Sequence, residues 1–196
     1  MTRRTLLAAI AGAAAFGESP LLIPVRRIWD ARAQLTEAQK SRFAGVIWPE
    51  AVRDFGRAGL VLSSVESPGE VGRAPSGRPV FKGLEHGWIN LVITDYVPLQ
   101  WDQARGLAGL TTQYDGYHVC IIALQHAHGH QAPLFSTNTC VHELLHVLLH
   151  DIFEPRPPGA AGSGREWRID WHATRLWLLG DNGEIRRSAQ AYLRRR

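Results

Sequence analysis

The sequence has few cysteines and no long apolar run. Cysteine occurs twice among 196 residues, at Cys120 and Cys140, and never with CxxC spacing. Two cysteines are too few for a disulfide framework, and a structural zinc site built from cysteines is not expected. The two thiols either pair in an oxidising compartment or remain free in the core, and the sequence leaves both possibilities open. Since no stretch reaches about 18 uninterrupted apolar residues, a multi-span membrane protein is excluded.

The chain also lacks a large charge excess outside its first 33 residues. Residues 1–33 hold five arginines and two acidic residues, so the overall net charge of +4 leaves only +1 for residues 34–196. A nearly neutral domain gives no electrostatic reason to expect nucleic acid as a partner. The content of 45% hydrophobic and 20% charged residues is that of an ordinary globular protein, and the length suits one domain.

The first 33 residues are interpreted as an export signal. Arg3 and Arg4 precede a short apolar run, which resembles the charged and apolar regions of a twin-arginine signal. A small-x-small cleavage pattern ends at Ala33, and an earlier one lies at residues 13–15. We therefore expect an exported mature chain, periplasmic or secreted, with no membrane span. An uncleaved N-terminal helix or anchor is the alternative.

Residues 34–196 are predicted to form one α+β domain. Thr36 with Gln39 has the pattern of a capping box at the start of a helix. Apolar and β-branched runs predict strands over residues 60–65, 87–94 and 117–124. The Pro- and Gly-rich segment between the first two strands is predicted to be a loop, and so is the connection that ends at Gly109. Further helices are predicted over residues 163–179 and 184–195.

The strongest motif is His142-Glu143-x-x-His146. It lies in a segment whose apolar residues recur at helical spacing, and capping-type residues that include Asn138 precede it. The two histidines are four residues apart and therefore share one face of the helix. In the HExxH motif the two imidazoles bind Zn²⁺, and the glutamate acts on a zinc-activated water. The alternative is an amphipathic core helix without a metal.

A hydrolytic zinc site needs a third protein ligand. Glu166 and Asp170 share one face of the next predicted helix, and enough residues precede them for an antiparallel return. Glu166 is the preferred third ligand and Asp170 the alternative, because Glu166 also has the spacing to close a capping box with Ser163. His150 lies about 12 Å along the helix from the first motif histidine, at roughly 1.5 Å per residue, which is too far to share one ion.

Several other residues are weaker candidates. Three histidines alternate in a loop and could bind a second metal, although a solvated polar loop is the simpler interpretation; they are His126, His128 and His130. His172 is a further candidate ligand. Tyr114 and Tyr117 are candidate oxyanion donors, with nothing local to single either out.

HExxH followed by Glu-x-x-x-Asp resembles the gluzincins, the thermolysin-like class of zincin metallopeptidases, and is similar to the small ImmA-type peptidases. The resemblance covers residues 142–170. It implies a zincin-like fold in which a small mixed sheet packs on the HExxH helix and a second C-terminal helix supplies the acidic pair. Asp170 would then orient a ligand histidine.

The same resemblance implies a zinc-dependent metallopeptidase that acts on peptide or protein substrates, with Glu143 as general base. A non-catalytic zinc-binding protein, or a degenerate peptidase that serves as a partner protein, is the alternative. A structural zinc site has no need of Glu143, which is why the enzyme is preferred. The sequence indicates neither the cleavage specificity nor the oligomeric state.

Overall fold

The computed structural model describes residues 19–76, 78–98, 106–132, 136–150, 163–180 and 183–195. The strands are β1 (Leu21–Asp30), β2 (Leu60–Arg73), β3 (Pro79–Lys82), β4 (Ile89–Thr94), β5 (Gly109–Tyr114) and β6 (Tyr117–Ala123). The helices are α1 (Glu37–Arg42), α2 (Trp48–Arg57), α3 (Thr139–Leu148), α4 (Ser163–Leu179) and α5 (Glu184–Arg194), with a π-helical turn over Phe43–Ile47 between the first two. None of the described helices is long and apolar enough to cross a membrane.

The strands form one mixed sheet in the order β3-β2-β1-β4-β6-β5. The four inner strands are parallel to one another, whereas β3 and β5 run antiparallel to their neighbours at the two ends. Every residue of β4 is buried, as expected for a parallel strand covered on both faces. The architecture is therefore mixed α/β and is compatible with the predicted α+β class.

Both faces of the sheet are covered, and the alternation along β6 separates them. Cys120 and Ile122 point into the larger core, where the helices pack. Val119 and Ile121 point into a smaller cluster on the opposite face, where they meet Phe81 of β3. Helix α3 packs against β5 and β6 on the helical side, and α4 packs against α3. The HExxH segment thus lies between the antiparallel end of the sheet and a second helix.

The beginning of the domain differs from the sequence interpretation. Residues 21–30, which were assigned to the export signal, form β1 in the middle of the sheet, paired to β2 on one side and to β4 on the other. Ile23, Val25 and Ile28 of this strand are fully buried. A mature chain that began at residue 34 would lack this central strand, so the folded domain has to begin before Leu21. Residues 1–18, including the earlier cleavage pattern, lie outside the described residues.

One segment predicted to be a loop is part of a strand, and a further strand, β5, forms where the sequence predicted no element. β2 continues to Arg73 and pairs with β3, in a segment that was predicted to be a loop. This pairing requires glycine at position 69, because a Cβ there would collide with the Ile28 side chain and with a backbone oxygen of β3. β5 begins at Gly109 and pairs along its whole length with β6. Both segments lie towards the ends of the sheet, where a strand is less buried, and both contain few apolar residues. Sheet pairing, and not local preference, makes them strands.

Candidate metal centre

The start of α3 is fixed by Asn138, whose side chain caps the helix. Its Oδ1 accepts hydrogen bonds from the backbone N–H groups of Cys140 and Val141, at 2.9 and 3.2 Å. Its amide Nδ2 donates to the carbonyl of Ile47 at 2.7 Å. The buried cap therefore ties the first turn of α3 to the π-helical turn that precedes α2. His142 lies four residues after Asn138.

Two histidines of α3 and one glutamate of α4 converge. His142 Nε2 lies 3.2 Å from His146 Nε2 and 3.1 Å from Glu166 Oε2. The same Oε2 lies 3.7 Å from His146 Nε2. Within the part of the chain that the structure describes, this is the one group of three or more His, Cys, Asp or Glu side chains with ligand atoms close enough to hold a metal ion.

The donor set and its spacing fit a zinc ion. Two imidazole nitrogens and one carboxylate oxygen are ligands that hydrolytic zinc sites use, with a further position left open for water. Tetrahedral bonds of roughly 2.0–2.2 Å separate neighbouring ligand atoms by about 3.3 Å. The three separations here are 3.1, 3.2 and 3.7 Å. The spacing supports the predicted zinc site, and the metal itself stays a prediction.

Asp170 contacts the other nitrogen of His142. Its Oδ1 lies 2.9 Å from His142 Nδ1, on the edge of the ring opposite the converging nitrogens. A carboxylate in that position accepts the Nδ1 proton and fixes the tautomer and orientation of the ring. The geometry thus gives Glu166 the position of a third ligand and Asp170 that of a supporting acceptor, as the preferred interpretation of the sequence has it.

The acidic pair shifts the ionisation of the site. Burial alone would lower the pKa of His142, but hydrogen bonds with Asp170 and Glu166 raise it to about 10. The hydrogen bonds with His142 and His146 lower the pKa of Glu166. Glu166 is therefore an ionised carboxylate, as a metal ligand has to be. A bound metal ion would have to displace a proton from His142.

Glu143 lies beside the converging ligands and is almost fully buried, with 5% of its surface exposed. The Thr111 hydroxyl donates to its Oε2 at 2.7 Å and also lies 2.9 Å from its backbone carbonyl. Burial raises the pKa of Glu143, whereas the neighbouring histidines and the Thr111 hydrogen bond lower it. A carboxyl with a raised pKa is closer to the range in which it can both take up and release a proton near neutral pH.

The histidine-rich loop is not a cluster of metal ligands among the described residues. The side chain of His130 is 3% exposed. Its Nδ1 accepts a hydrogen bond from the backbone N–H of Asn138 at 3.2 Å, so its Nε2 carries the proton and donates to Asp54 of α2. Its ring also stacks on Trp177 of α4, with centroids 4.2 Å apart. His130 therefore joins the cap of α3 to both α2 and α4, while His126 is exposed.

The remaining candidates lie elsewhere. His172 is buried on another face of α4 and lies 3.5 Å from Glu184. His150 follows the end of α3 in a left-handed conformation, with φ of 53°, and is exposed. Tyr114 packs against Phe81 on the sheet face opposite the helices, so its hydroxyl is not directed at the metal residues. The oxyanion-donor role considered for Tyr114 therefore has no geometric support.

Sequence reasoning missed the roles of Thr111 and Gly109. It also missed the buried hydrogen bond between the side chains of His130 and Asp54. No local pattern marks these residues, because each contacts a partner at least 32 positions away in the chain.

Cys120 and Cys140 are both free and buried. Burial raises the pKa of each thiol, which makes them unreactive core residues in this structure.

No protein-family model, curated protein or solved structure matches this chain. The metal and the activity are therefore inferred from the motif and from the geometry of its surroundings.

Proposed function

We propose that this protein is a zinc-dependent metallopeptidase of the zincin type. The observation that carries the proposal is the convergence of His142 Nε2, His146 Nε2 and Glu166 Oε2 at separations of 3.1 to 3.7 Å, with the Glu143 carboxyl beside them. Three ligands with a position left open are typical of catalytic zinc, whereas structural zinc has four protein ligands. Zinc would supply Lewis acidity, which lowers the pKa of a water molecule and polarises the scissile carbonyl.

The protein's own residues have distinct parts in this proposal. Glu143 takes a proton from the attacking water and delivers it to the leaving amine. Asp170 holds the His142 ring in one tautomer and orientation through Nδ1. Glu166 adds a negative charge, so that the site as a whole favours a dication.

The sheet offers a place for the substrate backbone. β5 is at the end of the sheet, antiparallel to β6, and α3 packs beside it. Among the described residues no strand pairs with the outer edge of β5. An extended peptide can add to such an edge through main-chain hydrogen bonds, which would align its peptide bond over the metal residues.

The export of the protein belongs to the same proposal. The paired arginines and the apolar run that follows support translocation out of the cytoplasm. Because β1 is a central strand, we propose that any cleavage occurs before it.

Chelation tests the activity directly. The purified protein is assayed on a peptide library with 1,10-phenanthroline and, as a matched control, with the non-chelating 1,7-isomer. We expect cleavage that only the chelating isomer abolishes and that added Zn²⁺ restores. Cleavage that is insensitive to chelation, or a zinc-loaded protein that cleaves nothing in the library, contradicts the proposal. The second outcome would favour the alternative, a zinc-binding protein without catalysis.

A further inference from the structure

We propose that Thr111 is a positioning residue for the general base, and that β5 holds the Glu143 carboxyl through Thr111 and makes room for it at Gly109. The inference deepens the proposed function and rests on it. It gives the end strand of the sheet a part in the reaction that is separate from pairing with a substrate.

The contact with Thr111 is short and shielded from water. The Thr111 hydroxyl lies 2.7 Å from Glu143 Oε2, and only 2% of the residue is exposed. A hydroxyl has one proton to donate, and an ionised carboxylate is the strongest of its three nearby acceptors. The other two are the Glu143 backbone carbonyl at 2.9 Å and Cys120 Sγ at 3.5 Å. In an almost fully buried site this bond fixes the rotation of the carboxyl group, because water does not compete for the same oxygen.

The hydrogen bond also assigns different parts to the two carboxyl oxygens. Oε2 is engaged by Thr111, so Oε1 is the oxygen left to take up a proton. When Oε1 is protonated, Oε2 becomes a carbonyl-type oxygen and still accepts the same hydrogen bond. Thr111 can therefore hold Glu143 in one orientation before and after the proton moves, with no change of partner.

Gly109 provides the space on the other side. A Cβ at this position would lie 2.5 Å from Glu143 Oε1 and 2.7 and 2.8 Å from Cγ and Cδ, which is closer than side chains tolerate. Gly109 and Thr111 are two residues apart on one strand, so they face the same side of the sheet. The strand thus acts on both carboxyl oxygens. Thr111 hydrogen-bonds Oε2, and Gly109 leaves room for Oε1 because it has no side chain.

A valine at position 111 tests the hydrogen bond with little change in shape. We expect Thr111→Val to lower kcat by about 10- to 100-fold, in line with the loss caused by a displacement of about 1 Å in a catalytic group. KM and zinc stoichiometry should stay unchanged, because Thr111 contacts no metal ligand directly. Thr111→Ser should restore most of the activity. Thr112→Val is the matched control, since Thr112 belongs to the same strand but points to the other face and hydrogen-bonds Gln113.

A purely structural threonine would behave differently, and a double-mutant cycle separates the two roles. If Thr111 acts through Glu143, then adding Thr111→Val to Glu143→Gln should not lower the residual activity further. Equal fold-losses in both backgrounds would overturn the proposal, and so would an unchanged kcat in Thr111→Val. Should the valine variant fail to fold, Thr111→Ala and Thr111→Ser are compared in the same cycle.

A second measurement does not depend on turnover. Acetohydroxamate chelates zinc and passes its proton to a neighbouring base, so its affinity for the zinc-loaded protein should fall at least tenfold in Thr111→Val and recover in Thr111→Ser. A parent that holds zinc but cleaves no peptide would refute the proposed function. The acetohydroxamate affinities would then decide on Thr111 alone, and equal values in the parent and Thr111→Val would overturn it.

Discussion

Replacing Glu166 by Gln should cost far more zinc affinity than replacing Asp170 by Asn. Glu166 Oε2 faces the Nε2 atoms of both histidines, whereas Asp170 reaches only His142 Nδ1. Structural zinc sites bind with about 10–16 kcal/mol through four protein ligands, so an even share for one ligand is about 2.5–4 kcal/mol, or roughly 10²- to 10³-fold in affinity. A carboxylate that only orients a ligand histidine is worth about 10- to 100-fold.

The two affinities are measured by competition with a fluorescent zinc chelator at one pH, with thermal unfolding to check that each variant is folded. Glu37→Gln is a matched control, because it changes the net charge by the same amount. Among the described residues this exposed glutamate forms an ion pair with Lys40 alone. Its zinc affinity should equal that of the parent. If Asp170→Asn loses as much affinity as Glu166→Gln or more, then Glu166 is not the third ligand and the geometric reasoning fails.

Four further predictions concern the metal helix, the loop before it and the N-terminus. His142→Ala and His146→Ala should each abolish stoichiometric zinc, measured by elemental analysis, and full occupancy in both variants would exclude the site. Glu143→Gln should keep zinc and lose about 10²- to 10⁴-fold in kcat; peptide cleavage at the parental rate would refute a general-base role. His130→Ala removes the partner of Oδ2 of the buried Asp54 carboxylate, whose Oδ1 keeps a 3.4 Å contact with Arg53. The free energy of unfolding in urea titrations should fall by about 1–3 kcal/mol, whereas exposed His126→Ala should change little. N-terminal sequencing of native protein should show a chain that starts before residue 21 and after the paired arginines; an intact N-terminus in a cytosolic fraction would contradict export.

Several predictions that depended on local pattern were confirmed. The helix over residues 163–179 has the predicted bounds, and Thr36 and Gln39 form the predicted capping box. The strand cores that end at Thr94 and Ala123 also lie within the predicted runs, since consecutive apolar residues are the signature of buried strands. In each case the residues that form the signal are close in sequence, within a single helix or a single strand.

The wrong and the missing predictions have a common cause. The segment after Val65 is rich in Pro and Gly and was predicted to be a loop, whereas Gly109–Tyr114 is mostly polar and was not predicted as a strand, since neither resembles a buried strand. Each becomes a strand because a neighbour provides hydrogen bonds along its edge, and that neighbour is not visible in the local sequence. The apolar residues 21–25 were read as part of a signal because an isolated apolar run does not reveal the two strands it pairs with.

The sequence by itself determined that His142 and His146 share a face, because a spacing of four residues in a helix sets that geometry without any outside contact. It also placed Glu166 and Asp170 on one face of a second helix and preferred Glu166 as the third ligand, with Asp170 left open as the alternative. Only the packing of α4 on α3 decided which carboxylate meets Nε2 and which meets Nδ1. Likewise, only the register of β5 against β6 brought Thr111 to Glu143, since a shift of one residue would turn its hydroxyl to the opposite face of the sheet.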